Sequence, residues 1–478
     1  MRRAKIVCTL GPATASPEKI QQLVDAGMDV ARINRSHGEP EEHAAVIELV
    51  RNAAEVSGRA VAILVDLQGP KIRLERFVVG KHDLAVGDVF TITTRDVPGT
   101  KELVGTTYKG LPGDCSPGDL LLIDDGKVTV RVTAVTDTDV VTECVVPGPV
   151  SNNKGINLPG VAVSVPAMSD KDEEDLRWAL ALRADFIALS FVRSAKDYDD
   201  VSKIMDEEGY RAPVIAKIEK PQAVANLAEI IDAFDGIMVA RGDLGVELPL
   251  ERVPLVQKDA VAMARRMAKP VIVATQVLES MITSPRPTRA ETSDCANAVL
   301  DGADAVMLSG ETSVGDFPIE CVETMARIIE ATEEHGLERI AAFTWTPHTR
   351  GGVITAAANQ IGKTLEAKYL VTFTQSGDSA RRMSRLRSEL PLIAFTPDPR
   401  TRRQLALSWG VQTIVTPTVP HTDAMIAAVD ASLQEGGYVV PGDRVVVVSG
   451  APVGRAGTTN LVQVHRIGDD GDRHAPTA

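Results

Sequence analysis

A chain of 478 residues exceeds what one apolar core usually supports, so two or three domains are expected, each burying its own interior. Asp and Glu number 65 against 51 Lys and Arg, and the net charge of −14 argues against nucleic acid or an anionic membrane as partner while leaving room for local basic pockets. The five cysteines are scattered without a C-x-x-C pair, and no signal-type run or 18-residue apolar span occurs, so the expectation is a reducing cytoplasm without zinc cluster, disulfides, secretion or membrane insertion.

From residue 4 onward, short runs rich in Val, Ile and Ala alternate with longer amphipathic stretches. The runs at 4–10, 29–34, 60–67, 184–192, 212–219, 236–242, 270–277 and 303–310 read as strands. Helical periodicity follows most of them, as over 17–27, 39–56, 221–234, 250–269 and 319–335. That alternation predicts an α/β fold, a (β/α)8 TIM barrel. Such a barrel carries its chemistry at the C-terminal strand ends. Here those ends read Arg32 and Asn34, Asp66, Ser190, Lys217 and Glu219, Asp243, Thr275 and Ser309.

Between the third and fourth strands, from about Pro70 to Pro166, helical periodicity gives way to Gly, Pro, Asp, Thr and Val. The stretches 88–94, 127–132 and 140–145 alternate apolar and polar residues as half-exposed antiparallel strands do. An inserted small β-barrel domain is expected there, placed at the barrel mouth as a lid. After residue 340 the alternation resumes, with helices over 353–366, 378–388 and 400–409 and strands over 369–374, 392–396, 411–416 and 444–449. The expected domains are 1–69 and 167–340 for the barrel, 70–166 for the lid and 341–478 for a C-terminal α/β domain, with a frayed tail from Gly468.

The most informative stretch is Val239-Ala-Arg-Gly-Asp-Leu-Gly-Val-Glu247, where a buried run stops at a glycine-rich turn. Gly242 lets the main chain approach a ligand, Asp243 offers a hard oxygen to Mg2+, and a helix starting soon after would aim N–H groups at an anion. Lys217 and Glu219 stand two apart at the end of a strand and therefore share a face. Two acids, a lysine and a glycine turn point to metal-assisted chemistry; the plainer alternatives are exposed acids at strand ends and a Lys217–Glu219 salt bridge. In the C-terminal domain, Thr374-Gln-Ser-Gly-Asp-Ser379 offers hydroxyls, glycine and N–H groups as a phosphate cup, or else as a simple helix cap.

Seven segments, in sequence order, carry a family resemblance: Arg32-Ile-Asn-Arg-Ser-His-Gly38, Gln68-Gly-Pro-Lys-Ile-Arg73, Lys154-Gly-Ile-Asn-Leu-Pro159, Ile215-Ala-Lys-Ile-Glu219, Ala240-Arg-Gly-Asp-Leu-Gly245, Ala274-Thr-Gln276 and Met307-Leu-Ser-Gly-Glu-Thr312. With the order barrel, insert, barrel, C-terminal domain, the chain resembles the pyruvate kinase family over essentially its whole length. The resemblance implies Mg2+-dependent phosphoryl transfer from phosphoenolpyruvate to ADP, giving pyruvate and ATP at the last step of glycolysis in a cytoplasmic homotetramer. It places Glu219 and Asp243 on Mg2+, with Mn2+ as the alternative ion, and Lys217 on the transferring phosphoryl group and the developing enolate. Arg32 falls on the phosphoryl donor, Gly242 and Asp243 on the substrate carboxylate, and Thr275 near the enolate carbon, where it would order a water relay. Arg73, Lys154 and His37 fall on the nucleotide, with a surface arginine, a solvated lid lysine and an incidental histidine as alternatives.

The resemblance also implies a K+ site of Asn34, Ser36, Asp66 and the Leu67 carbonyl. This chain departs from the pattern there, since Lys71 stands where K+-dependent members usually have Glu, and K+ is expected to be dispensable. Thr374, Ser376, Gly377 and Ser379 would take a phosphorylated effector, a sugar monophosphate or AMP being as good a candidate as a sugar bisphosphate. Two rival functions remain on the same scaffold: a Mg2+ barrel lyase or aldolase that makes a pyruvate enolate, and a non-enzymatic phosphometabolite sensor.

Overall fold

The computed structural model describes every residue except 1, 125, 162, 163, 165 and 470–478, so most of the expected tail lies outside the described residues. Eight parallel strands close into a ring in chain order: Lys5–Thr9, Val30–Asn34, Ala62–Asp66, Phe186–Leu189, Val214–Ile218, Gly236–Ala240, Val271–Ala274 and Ala305–Leu308. Their residues are almost all buried on both faces, which is why the runs read as continuously apolar rather than alternating. Side chains such as Leu64, Ile215, Met238 and Ile272 fill the ring, while a larger apolar shell joins its outside to the surrounding helices. Among the described residues no helix is long and apolar enough to cross a membrane.

Local chemistry sets the helix starts. Ser16 accepts from the Lys19 N–H before helix Pro17–Ala26, and Ser169 with Asp172, like Thr288 with Glu291, forms a reciprocal capping box. Two readings change. The single helix expected over 221–234 is two, Pro221–Ala225 and Leu227–Ala233, broken at Asn226, whose side chain donates to the Arg193 carbonyl at 2.9 Å. The turn expected at 241–247 is itself a helix, Arg241–Glu247, entered directly from the sixth strand.

The insert builds its own core around Phe90, Leu121, Val130 and Val140 within a six-stranded sheet. One edge of that sheet is Ile156–Asn157 and the other Leu103–Gly105, and bridges Arg73↔Gly155 and Leu74↔Thr106 let the entering chain touch both edges, curling the sheet round. The C-terminal domain is a five-stranded sheet with Tyr369–Phe373 at its centre, flanked by parallel neighbours and edged by the antiparallel strand Thr459–Arg466. It docks on the face of the barrel where the strands begin. There the Leu405–Leu407 turn joins the barrel interior, Lys5 donates to the Val411 carbonyl at 3.0 Å, and Arg403 pairs with Asp185 at 2.8 Å. The opposite face, where the strands end, is left to the insert and the loops.

Candidate active site

At the end of the fifth strand Lys217 and Glu219 do share a face, with the ammonium 2.9 Å from Glu219 Oε1. Asp66, at the end of the third strand, lies 3.4 Å from the same ammonium and 2.7 Å from Arg32 Nε, while Ser190 Oγ accepts from Lys217 at 2.8 Å. Arg32 also donates to Thr9 Oγ1 at 2.9 Å, so five strand ends meet in one buried network. The Phe191 N–H donates to Glu219 Oε2 at 2.8 Å, yet Glu219 Oε1 has no hydrogen-bond partner, because its contact with Lys217 is close but misaligned.

The charges bend one another. Burial lowers the affinity of Lys217 for its proton, but Asp66 and then Glu219 more than reverse this and hold the lysine above its ordinary range. Burial works to raise the Asp66 carboxyl, and Lys217 and Arg32 bring it below the usual carboxylate range. Glu219 goes the other way: burial raises it, Lys217 opposes, and the negative charge of Asp243 adds to the rise. A fully buried carboxylate with one unspent oxygen, facing a second carboxylate, is a donor set short of a cation. No group of three or more His, Cys, Asp or Glu among the described residues forms a metal cage, so any cation here keeps open positions for oxygens of a ligand.

Thr275 follows the seventh strand at φ 65°, a left-handed conformation that a β-branched residue seldom adopts. Its hydroxyl donates to the Ala274 carbonyl at 2.6 Å and accepts the Gly242 N–H at 2.7 Å. The expectation that Gly242 offers a free N–H therefore changes: helix Arg241–Glu247 starts earlier than expected, which turns that donor onto Thr275. Arg241 locks the arrangement by donating to the Thr275 carbonyl at 2.9 Å and pairing with Asp294 at 2.7 Å.

The remaining candidates separate into two places. Asn34 Oδ1 accepts the Ser36 N–H at 3.2 Å, the Asp66 carbonyl accepts the Arg35 N–H at 3.0 Å, and the Leu67 carbonyl accepts from Ser190 Oγ at 2.7 Å, so these four belong to one rim of the network. His37 is exposed and shares with Asn34 the lining of a broad cleft beside that rim. Arg73 and Lys154 lie together on the arms of the insert: Arg73 donates to the Asn153 carbonyl at 3.0 Å, and Lys154 is held by Asp124 at 3.0 Å. Lys71 keeps company with this second group, its Cε packed close to Gly155 and its side chain lining a cleft with Phe191 and Lys220, rather than with Asn34 or Ser36.

Sequence reading missed several partners. Ser190 reads as a strand end, but nothing local signals its bond to Lys217, the Phe191 N–H on Glu219, or Asp124 holding Lys154. Glu247, which accepts from Lys220 at 2.6 Å and from Asn157 in the returning arm at 3.0 Å, ties the insert to the helix that carries Asp243. In the C-terminal domain, Thr374 Oγ1 accepts the Gly377 N–H at 2.9 Å and Ser379 Oγ meets Thr459 Oγ1 at 2.6 Å. Thr374, Ser376, Ser379 and Thr459 border one open cleft.

The family model described as pyruvate kinase, barrel domain, matches residues 1–322, and that described as pyruvate kinase, alpha/beta domain, matches 353–465. The chain is 58% identical to a pyruvate kinase of Mycobacterium intracellulare over 98% of this chain and 99% of that one. It is 57% identical to one of Mycobacterium tuberculosis H37Rv over the same shares. A crystal structure of a pyruvate kinase from Cryptosporidium parvum superposes with a TM-score of 0.91 at 35% identity, covering 98% of this chain and 96% of that one.

Proposed function

Because the chain belongs to the pyruvate kinase family, we propose that its barrel mouth moves the phosphoryl group of phosphoenolpyruvate to ADP with Mg2+ and then delivers a proton to the enolate, giving ATP and pyruvate as the last step of glycolysis in the cytoplasm. One observation carries the reading: Lys217, Glu219, Asp66 and Arg32 form a buried, mutually charged network that leaves a carboxylate oxygen unspent beside Asp243. Held by Glu219 and Asp243, a divalent cation, Mg2+ or Mn2+, would neutralise charge on the substrate's carboxylate, enolate and phosphoryl oxygens.

The protein's own groups do the rest. Lys217, kept protonated by its carboxylate neighbours, places a fixed positive charge where the phosphoryl group leaves and the enolate forms. Arg32, oriented by Asp66 and Thr9, offers a second fork to the donor phosphate. Gly242 and Asp243 would take the substrate carboxylate, the Gly242 N–H exchanging its Thr275 partner for it. Thr275, freed in that exchange, orders the water that passes a proton to carbon. Arg73, Lys154 and His37 approach the nucleotide as the insert closes, which removes water from a group prone to hydrolysis.

K+ is taken to be dispensable, since Asp66 already faces two cations and Lys71 replaces the acid that would favour a third. The Thr374–Ser379 cup is taken as the site of a phosphorylated effector, and the assembly as a homotetramer. Purified protein given phosphoenolpyruvate, ADP and Mg2+ should release ATP and pyruvate one for one, and stop on chelation. No product from phosphoenolpyruvate and ADP, with pyruvate released instead from a 2-keto acid cleaved at a carbon–carbon bond, would assign a lyase, and binding without turnover of either a sensor.

A further inference from the structure

Glu247 ends the short helix that carries Asp243, and its position does not suit an acid. It sits in the last turn, where the helix dipole favours a cation, and only 6% of it is exposed. Its Oε1 accepts from two donors that come from different parts of the chain, Lys220 Nζ at 2.6 Å and Asn157 Nδ2 at 3.0 Å. Lys220 directly follows Glu219 just beyond the fifth barrel strand, and its ammonium lies 5.4 Å from the ring centre of Phe191, the residue whose N–H donates to Glu219. Asn157 belongs to the returning arm of the insert, three residues after Lys154, in the edge strand Ile156–Asn157 that pairs with Ile123 and Leu122.

One carboxylate oxygen therefore joins three pieces of the mouth. A buried ion pair returns little net stability once both charges are desolvated, but it holds geometry, because either partner left alone is costly. The pair with Lys220 sets the span from helix to strand end, and with it the span from Asp243, one helical turn before Glu247, to Glu219, one residue before Lys220. The bond from Asn157 holds the returning arm, which Arg73 of the entering arm meets through its bridge to Gly155. Asn157 is only 5% exposed and its Oδ1 has no hydrogen-bond partner, so the bond to Glu247 is what orients the amide.

We propose that Glu247 is a positioning residue for the phosphoryl transfer, setting the separation of Glu219 and Asp243 through Lys220 and the seat of the insert's returning arm through Asn157. It acts through other residues, and its two bonds serve different ligands. The Lys220 bond governs the cation and rests on the reading of Glu219 and Asp243 as its holders. The Asn157 bond governs the nucleotide and rests on the reading of Lys154 and Arg73 as its contacts.

Two measurements on the full chain read the bonds apart: Mn2+ affinity without substrates, from the electron paramagnetic resonance of the free ion, and KM for ADP. Lys220→Met keeps the length of the side chain without its charge, and should weaken Mn2+ binding about fivefold or more while KM for ADP stays within about twofold. Asn157→Ala should do the reverse. Glu247→Ala should do both; Glu247→Gln, which keeps an acceptor for Asn157 but no charge for Lys220, should match Lys220→Met and keeps the test open where the alanine protein does not fold. Glu219→Gln and Lys154→Ala separate this role from the readings beneath it. Mn2+ affinity lost in Glu219→Gln but kept in Lys220→Met and Glu247→Gln, or KM for ADP raised in Lys154→Ala but not in Asn157→Ala, overturns the positioning role alone; wild-type values in all of these variants overturn the readings with it. Lys220→Met and Asn157→Ala each moving both quantities alike, as general loosening would, also overturns it.

Discussion

The two ends of the barrel bury charge in different ways. At the mouth each cation faces an acid, Arg32 with Asp66 and Lys217 with both Asp66 and Glu219, and the surplus is two carboxylate oxygens, Asp66 Oδ1 and Glu219 Oε1. At the opposite face Arg265 and Arg385 are met by carbonyls and aromatic rings, and the surplus is three N–H donors. Burial raises the cost of an unpaired charge equally at both ends, so the ends differ in the sign of the surplus. The mouth is left with acidic oxygens short of a partner and the far face with basic N–H groups short of one.

The comparison can be broken at the mouth first. Glu219→Gln keeps the shape but removes the unspent oxygen's charge, and kcat/KM should fall on the order of a thousandfold with a parallel loss of Mn2+ affinity in a direct titration. Unaltered Mn2+ binding would show that Glu219 is no ligand. Asp66→Asn leaves two buried cations short of an acid and should cost about 3–5 kcal/mol in urea unfolding. The sign with pH follows from the lowered carboxyl of Asp66: the stability it supplies is present above its unfolded value and is lost as pH falls through its folded value. The gap between wild type and Asp66→Asn should therefore close in acid, and a gap that widens would contradict the assignment.

Smaller effects sharpen the contrast with the C-terminal domain. Replacing Ser376 and Ser379 by Ala should abolish activation by a phosphorylated effector while kcat stays within about twofold of wild type, because the cup lies outside the barrel. Activation that survives would move the effector elsewhere. Full activity is expected without Na+ or K+, and Lys71→Glu should gain a K+ stimulation of about severalfold, on the order of one charge–charge interaction near the surface. Strong stimulation of the wild type by K+ at constant ionic strength would restore Asn34, Ser36, Asp66 and Leu67 as a true K+ site.

Much of this was legible in the chain. Continuous apolar runs gave the barrel strands because both faces of a parallel barrel are covered, and the residues that end them include Asp66, Lys217, Glu219 and Thr275. What local pattern does not carry is partnership across the ring. The Phe191 N–H meets Glu219 28 residues away, and Thr275 meets Gly242 33 residues away. Helix Arg241–Glu247 escaped because its two glycines argue for a turn, and tertiary bonds from Arg241 override that preference. Helix Thr422–Glu435 and strand Thr459–Arg466 were passed over as well, the strand because it pairs antiparallel at the sheet edge with only mixed burial. The meeting of Arg265 with Arg385 was invisible because the two come from segments more than a hundred residues apart.

The most direct test of the account is Lys217→Met, measured for ATP formation from phosphoenolpyruvate and ADP and, separately, for Mn2+ binding. The account predicts that phosphoryl transfer falls by about 10²–10³ or more while the metal still binds with near wild-type affinity, because the lysine supplies charge that counts in the transition state and not in holding the ion. Near-normal ATP formation in a folded variant, or metal binding lost together with activity, would contradict it.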